Sequence, residues 1–256
     1  MDERQTNYTI MEGYELPSKG KIYTGVNVNP HVELRSMTAR DEMKRLSPSI
    51  TPLKTLSDII EGCMIEKPAV HVYDMAIGDY EFLLHKLRIV TYGEKYNLTC
   101  KCAECLNTIE AEADLGTMEV QELDIETFEQ VRTFQLPVSG KTITLKIQSP
   151  RLLEETDAKV KEMQRKYKGA LIDFEVLCKL LCNIESVDGI RLNQMDLENV
   201  INNMAARDMQ KILNNIDLLG KQFGIKNLLY LTCPKCHEEV ATFFRYGSEF
   251  FRPTNI

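Results

Sequence analysis

Two stretches of this chain, LTCKCAEC at 98–105 and LTCPKC at 231–236, decide the fold. Each ends in a CxxC unit, Cys102 with Cys105 and Cys233 with Cys236. Each follows a run of strand character, EKYNLTC in one case and NLLYLTC in the other, and polar residues come after. Two thiolates separated by two residues bend around one ion, and two such knuckles complete the tetrahedron that zinc prefers. The spacing therefore predicts a structural zinc site with Cys102, Cys105, Cys233 and Cys236 as ligands. A site closed by four thiolates leaves no position for water or substrate, so it stabilises rather than catalyses. In small zinc domains such binding contributes on the order of 10 kcal/mol.

The pairs are separated by about 127 residues, far beyond the common spacing. A whole helical module inserted between the two halves of a zinc ribbon accounts for that gap. Competing readings are a redox dithiol, which would place one CxxC at a helix N-terminus rather than two in hairpins, and unpaired thiols. Cys100 is a third thiol beside the first knuckle, and its presence leaves open whether it replaces Cys102; the matching spacing favours Cys102 and Cys105. His237 directly follows Cys236 and is poorly placed as a ligand while four thiols are present. Cys63, Cys178 and Cys182 fall on apolar helical stretches and read as small core residues.

Composition narrows the function classes. The chain has 256 residues, 43% hydrophobic, no Trp and a net charge of -7, which argues against a general polyanion binder. Its most basic stretch, KVKEMQRKYK at 159–168, reads as the solvated face of a charged helix. MDERQTNYTI at the start has no apolar stretch of signal-peptide length, and no run approaches the roughly 18 apolar residues of a membrane span. A cytosolic setting is expected, where thiols stay reduced. The glycosylation triplets at Asn7 and Asn97 are then accidental.

Outside the knuckles, residues 1–40 look irregular apart from a short strand over Val32–Arg35. ELPSKGKIYTG is loop chemistry, and the first 30 residues read as an arm that folds against a partner. Thr38 and Asp41 form a capping-box pattern opening a helix through Leu46. Thr55 or Ser57 would cap a second helix through Met64. Tyr80, Leu83, Leu84, Leu87 and Val90 make an amphipathic stripe ending at Gly93. A hairpin turns at Ser139-Gly140, and helices follow over 151–168, 170–182 and around Leu197–Met204 and Met209–Ile216. The organisation predicted is an N-terminal arm and helical region (1–92), a zinc-ribbon and β region (93–149 with 225–256), and an inserted helical module (150–224).

Nothing in the sequence supports an enzyme. Ser139-Gly140-Lys141-Thr142 copies the end of a phosphate-binding loop, but Gln135 stands where that motif needs Gly, and a strand follows instead of a helix. Asp188-Gly189 lacks the alternating ligands of a calcium loop. His31, His71, His85 and His237 show no metal spacing. At the C-terminus, Phe243, Phe244, Tyr246, Phe250 and Phe251, with Arg245 and Arg252, read either as rings closing the core beside the knuckle or as a protein contact.

LPSKGKIY (16–23), ELRSMTARDE (33–42), FLLHKLRIVTYG (82–93) and the terminal CPKC followed by FFRP (250–253) occur in this order over nearly the whole chain. In that succession the chain resembles the baseplate protein family of contractile-tail phages of the T-even kind. The resemblance implies a hub subunit or hub-assembly chaperone that binds other baseplate and tail proteins, without catalytic residues. It would be found in the host cytoplasm during assembly or in the virion baseplate. Cys102, Cys105, Cys233 and Cys236 are the positions that match; Cys100 departs from the pattern. The reading is thus an α+β protein, a split zinc ribbon with a helical insertion, non-enzymatic, with no nucleic acid or membrane partner. A nucleic-acid-associated zinc-ribbon factor is the alternative, permitted by fold analogy and disfavoured by charge.

Overall fold

The computed structural model describes residues 10–251 except 170, 244, 245 and 247. Asn7, Phe244, Arg245 and Arg252 lie outside the described residues. The chain is α+β, with short antiparallel sheets placed around helices.

The N-terminal region is less irregular than its composition suggests. β1 (Met11–Glu15) pairs antiparallel with β2 (His31–Arg35), with Tyr14 opposite Val32. Gly13 breaks the alternation that marks a strand, which hid β1 from a sequence reading. The connecting loop is pinned to the body. Ser18 donates from its backbone N and its Oγ to the two oxygens of Asp79, at 3.0 and 2.5 Å. Tyr23 donates its hydroxyl to the same carboxylate at 2.6 Å and accepts from the Ala76 amide. LPSKGKIY is therefore a buried anchor rather than a free arm, since a buried carboxylate requires such donors.

α1 (Ala39–Leu46) starts with the predicted capping box, Thr38 and Asp41 serving each other's backbone. α2 (Pro52–Cys63) begins earlier than Thr55, because Pro52 occupies the first helical position, where its missing N–H costs nothing. Its free amides are taken by a remote side chain, Glu154, which accepts from Leu53 N at 2.7 Å and Lys54 N at 3.3 Å. α3 (Ile77–Tyr92) is closed by Gly93 at φ 83°. It is buried on nearly every side rather than along one stripe: Phe82, His85, Arg88 and Ile89 are covered as well.

β3 (Lys95–Lys101) and β4 (Thr108–Asp114) form the first cysteine hairpin. After β5 (Val120–Gln121), α4 (Ile125–Arg132) appears where no helix was expected, capped by Asp124 on the amides of Glu126 and Thr127. β6 (Thr133–Gln135) and β7 (Thr142–Leu145) make the predicted hairpin. α5 (Pro150–Lys166) and α6 (Phe174–Asn183) follow, and then β8 (Ile184–Val187) joins β7 as a third strand. α7 (Gln194–Asn202), α8 (Ala206–Leu219) and β9 (Gly224–Ile225), which pairs β5, lead to β10 (Leu228–Thr232) and β11 (Glu239–Phe243), the second cysteine hairpin.

Three apolar clusters result. The first gathers α2, α3, β2 and the C-terminal Phe250 and Phe251. The second joins Ile22, Phe128, Leu136, Ile143 and Leu145 to the apolar faces of α6, α7 and α8. The β6–β7 hairpin thus packs with the helical module and not on the cysteine hairpins, with which its sequence position grouped it. The third is small, Cys102, Ile109 and Cys233, with Leu231 and Val240 against it.

Candidate metal centre

Each cysteine hairpin supplies its thiols from the turn between its strands. Both turns fold by the same backbone pattern. The Cys102 amide donates to Asn107 O and the Leu106 amide to Cys102 O, at 2.9 and 3.1 Å. In the second turn the Cys233 amide donates to Glu238 O and the His237 amide to Cys233 O, both at 2.9 Å. Leu106 and His237, each directly after its knuckle's second cysteine, take φ of 58° and 63°. This left-handed region normally favours glycine. The two turns are one structural unit used twice, and the role of Leu106 and His237 in it was not read from the sequence. The one signal available was their equal offset from each CxxC.

The turns meet face to face. Cys102 Sγ lies 3.6 Å from Cys236 Sγ, and Cys105 Sγ lies 3.6 Å from Cys233 Sγ. All four sulfurs fall within 4.8 Å of one another. A disulfide would need about 2.05 Å. A zinc ion with bonds of about 2.3 Å at tetrahedral angles sets its sulfurs roughly 3.8 Å apart. The spacing thus suits an ion at the centre, and an all-sulfur donor set suits a soft or borderline metal. Cys102 and Cys233 are buried, while Cys105 and Cys236 are partly exposed.

The second turn favours a thiolate electrostatically. The backbone amides of Cys236 and Lys235 point at the Cys233 sulfur and lower its pKa to about 6, against the opposing effect of burial. Cys236 moves the other way. The Glu238 amide favours its thiolate, but burial and the thiols of Cys105, Cys102 and Cys233 outweigh it and raise the value to about 12. Four adjacent sulfurs without an ion cannot all ionise, which is the charge problem a divalent cation resolves.

The remaining sequence candidates are dispersed. Cys100 sits on β3 opposite Ile109 and packs beside the cluster without entering the four-sulfur group. Cys63 is buried near Asp41, and burial pushes its thiol up to about 12. Cys178 is likewise raised by burial on α6. His71 lies 3.3 Å from both Asp58 and Glu61 on α2, and His85 contacts Leu115 O at 2.9 Å. The imitation phosphate loop carries its own anion: Asp208 accepts from the amides of Val138 and Ser139 at 2.8 and 3.0 Å. Asp188, at φ 51°, accepts from Thr142 N at 2.8 Å and closes a turn.

The terminal rings divide. Phe250 and Phe251 are fully buried against α3, with Phe250 O accepting from buried Arg88 Nε at 3.2 Å and the Arg45 guanidinium 5.6 Å from the Phe251 ring centre. Phe243 on β11 is exposed. No helix among the described residues is long and apolar enough to cross a membrane. A family model described as T4 bacteriophage base plate protein matches residues 9–252. No curated protein and no solved structure matches.

Proposed function

The chain belongs to the T4 bacteriophage base plate protein family, and on that premise we propose that it is a non-catalytic structural or assembly protein of the baseplate hub, binding other baseplate and tail proteins. The observation that carries this reading is the family match over nearly the whole chain. Cys102, Cys105, Cys233 and Cys236 hold one zinc ion, and the two hairpins it joins form a split zinc ribbon. The support for this is the four sulfurs within 4.8 Å in two equivalent turns. With every coordination position filled by thiolate, the ion supplies rigidity rather than chemistry. It would clamp together segments that lie far apart in sequence and fix the surface they present.

The experiment is metal analysis and thermal denaturation of the purified native protein, with Cys102→Ser and Cys233→Ser alongside. One zinc per chain, lost in both variants together with thermal stability, is the expected result. No metal, or freely reactive or disulfide-linked cysteines in the native protein, would remove the zinc reading. For the assembly role, host cells infected with phage lacking this protein should accumulate tail parts without complete baseplates. Mass spectrometry of purified virions then separates a resident subunit from an assembly factor. Complete baseplates in its absence would sink the role.

A further inference from the structure

The four thiols that face one another are not equivalent, and their contacts mix the two hairpins. Cys105 and Cys236 are partly exposed, whereas Cys102 and Cys233 are buried. Each exposed sulfur lies 3.6 Å from the buried sulfur of the other hairpin, Cys236 from Cys102 and Cys105 from Cys233. Either contact thus joins a thiol that solvent reaches to one that it does not, and both run between the hairpins. A disulfide needs about 2.05 Å between its sulfurs, so a closure of roughly 1.5 Å would complete either pair. Little else holds the hairpins at this junction. The apolar cluster there consists of the thiols with Ile109, Leu231 and Val240.

We propose that oxidation replaces the metal clamp by two disulfides across the hairpins, Cys102–Cys236 and Cys105–Cys233. The same four sulfurs then join the hairpins in reducing and in oxidising surroundings. This rests on the four-thiol metal reading, though not on which ion is held, and it supplies that site's regulation. In the proposed baseplate role the chain is made where thiols stay reduced and, as a virion part, leaves for surroundings where disulfides persist. The oxidant is a hydroperoxide. The thiolate of Cys105 or Cys236, which solvent reaches, attacks one peroxide oxygen. The O–O bond breaks, hydroxide leaves and takes up a proton to become water, and the sulfur becomes a sulfenic acid. The buried thiolate of the facing hairpin then attacks that sulfur. The S–S bond forms, the S–O bond breaks, and the second hydroxide leaves as water with a second proton. For each pair, two thiolates, one hydrogen peroxide and two protons give one disulfide and two waters. The thiolates are consumed, so a bound cation loses its ligands.

The sequence makes the pairing directly readable. Glu104 and Lys235 lie inside the two CxxC units, and Lys101 separates Cys100 from Cys102. Cleavage after Glu and Lys therefore puts each of these thiols on its own peptide. The full, metal-loaded protein is treated with graded hydrogen peroxide, its remaining thiols are blocked, and the unreduced digest is mapped by mass spectrometry. A chelating dye reads the released metal. Peptides joined through Cys102–Cys236 and Cys105–Cys233 should appear in step with complete release of the metal, and dithiothreitol with added zinc should reverse both. Cys100→Ser should leave the map unchanged. The oxidised protein should keep the amide protection over residues 95–114 and 228–243 that chelation under reducing conditions removes. Disulfides within the units, Cys102–Cys105 and Cys233–Cys236, would overturn the proposal. So would links through Cys100 or between chains, sulfinic or sulfonic acids in place of disulfides, or treated protein that keeps its metal and its thiols. Metal in the untreated, reduced protein is measured first. Its absence there would end the zinc reading, while the disulfide map still decides the pairing.

Discussion

Leu106 and His237 hold backbone conformations that cost a side-chain-bearing residue about 1 kcal/mol or more. Leu106 is also largely exposed, so removing its side chain sacrifices little packing. Leu106→Gly should raise thermal stability, by about 1 kcal/mol less whatever the glycine's greater unfolded-state freedom costs; chemical denaturation measures it, and a clear loss of stability would contradict the backbone argument. A second residue-scale consequence lies on α3, where buried His85 and half-buried Glu81 titrate in opposite senses. Burial lowers His85 to about 4, from an ordinary 6.5. The unfolded chain then binds the proton first, so this contribution is complete above pH 6.5 and is lost as the pH falls toward 4. Burial raises Glu81 to about 7, from 4.5. Its contribution is complete below pH 4.5 and is lost as the pH rises through 7. Between pH 4.5 and 6.5 the two partly cancel. Relative to wild type, stability of His85→Gln should slope downward as pH rises, and that of Glu81→Gln upward; parallel curves for the two variants would refute this pairing.

At the scale of elements, α3 packs against α2, β2 and β9, and its entry is unusually tight. A Cβ on Gly78 would lie 2.5 Å from Phe223 O and 2.7 Å from the Phe223 ring. The next residue of that segment, Gly224, adopts φ 113° and faces the backbone of Gly78. The helix start and β9 are therefore packed backbone to backbone, which links the first core to the end of the helical module. Gly78→Ala should cost on the order of 2–3 kcal/mol through overpacking, read as a lower denaturation midpoint. A neutral outcome would mean that the contact relaxes readily. The same helix shows where pattern reading falls short. Its stripe of Tyr80, Leu83, Leu84, Leu87 and Val90 was legible, but the burial of Arg88 was not. Arg88 is accommodated by the carbonyls of Gly93, Lys95 and Phe250 and by the rings of Tyr92 and Tyr96. One of those carbonyls is more than 160 residues away, beyond any local periodicity.

For the whole molecule, the apolar clusters predict unequal consequences of removing the proposed metal. The second core is assembled from α4, α6, α7, α8 and the β6–β8 sheet without a cysteine knuckle, whereas the third consists of little beyond the thiols, Ile109 and their neighbours. Chelation followed by hydrogen exchange should therefore deprotect residues 95–114 and 228–243 strongly while 174–219 stays protected. Uniform deprotection would instead make the metal essential to the entire fold.

The sequence alone picked out the four cysteines whose sulfurs the fold brings together, the strand–turn–strand context of each pair, the capping box at Thr38, the helix ending at Gly93 and the hairpin at Ser139-Gly140. All of these are local: ligand spacing, cap chemistry and turn residues act within a few positions of one another. Tertiary structure decided what those signals do not contain. Glu154 caps a helix about a hundred residues away, Asp79 holds the loop of Ser18 and Tyr23, and Phe250 and Phe251 close a core rather than a contact surface. Each is a polar group finding its partner, or an apolar ring finding its pocket, across a long stretch of chain. Which partner satisfies such a group depends on where packing brings the chain, and that depends on the whole of it.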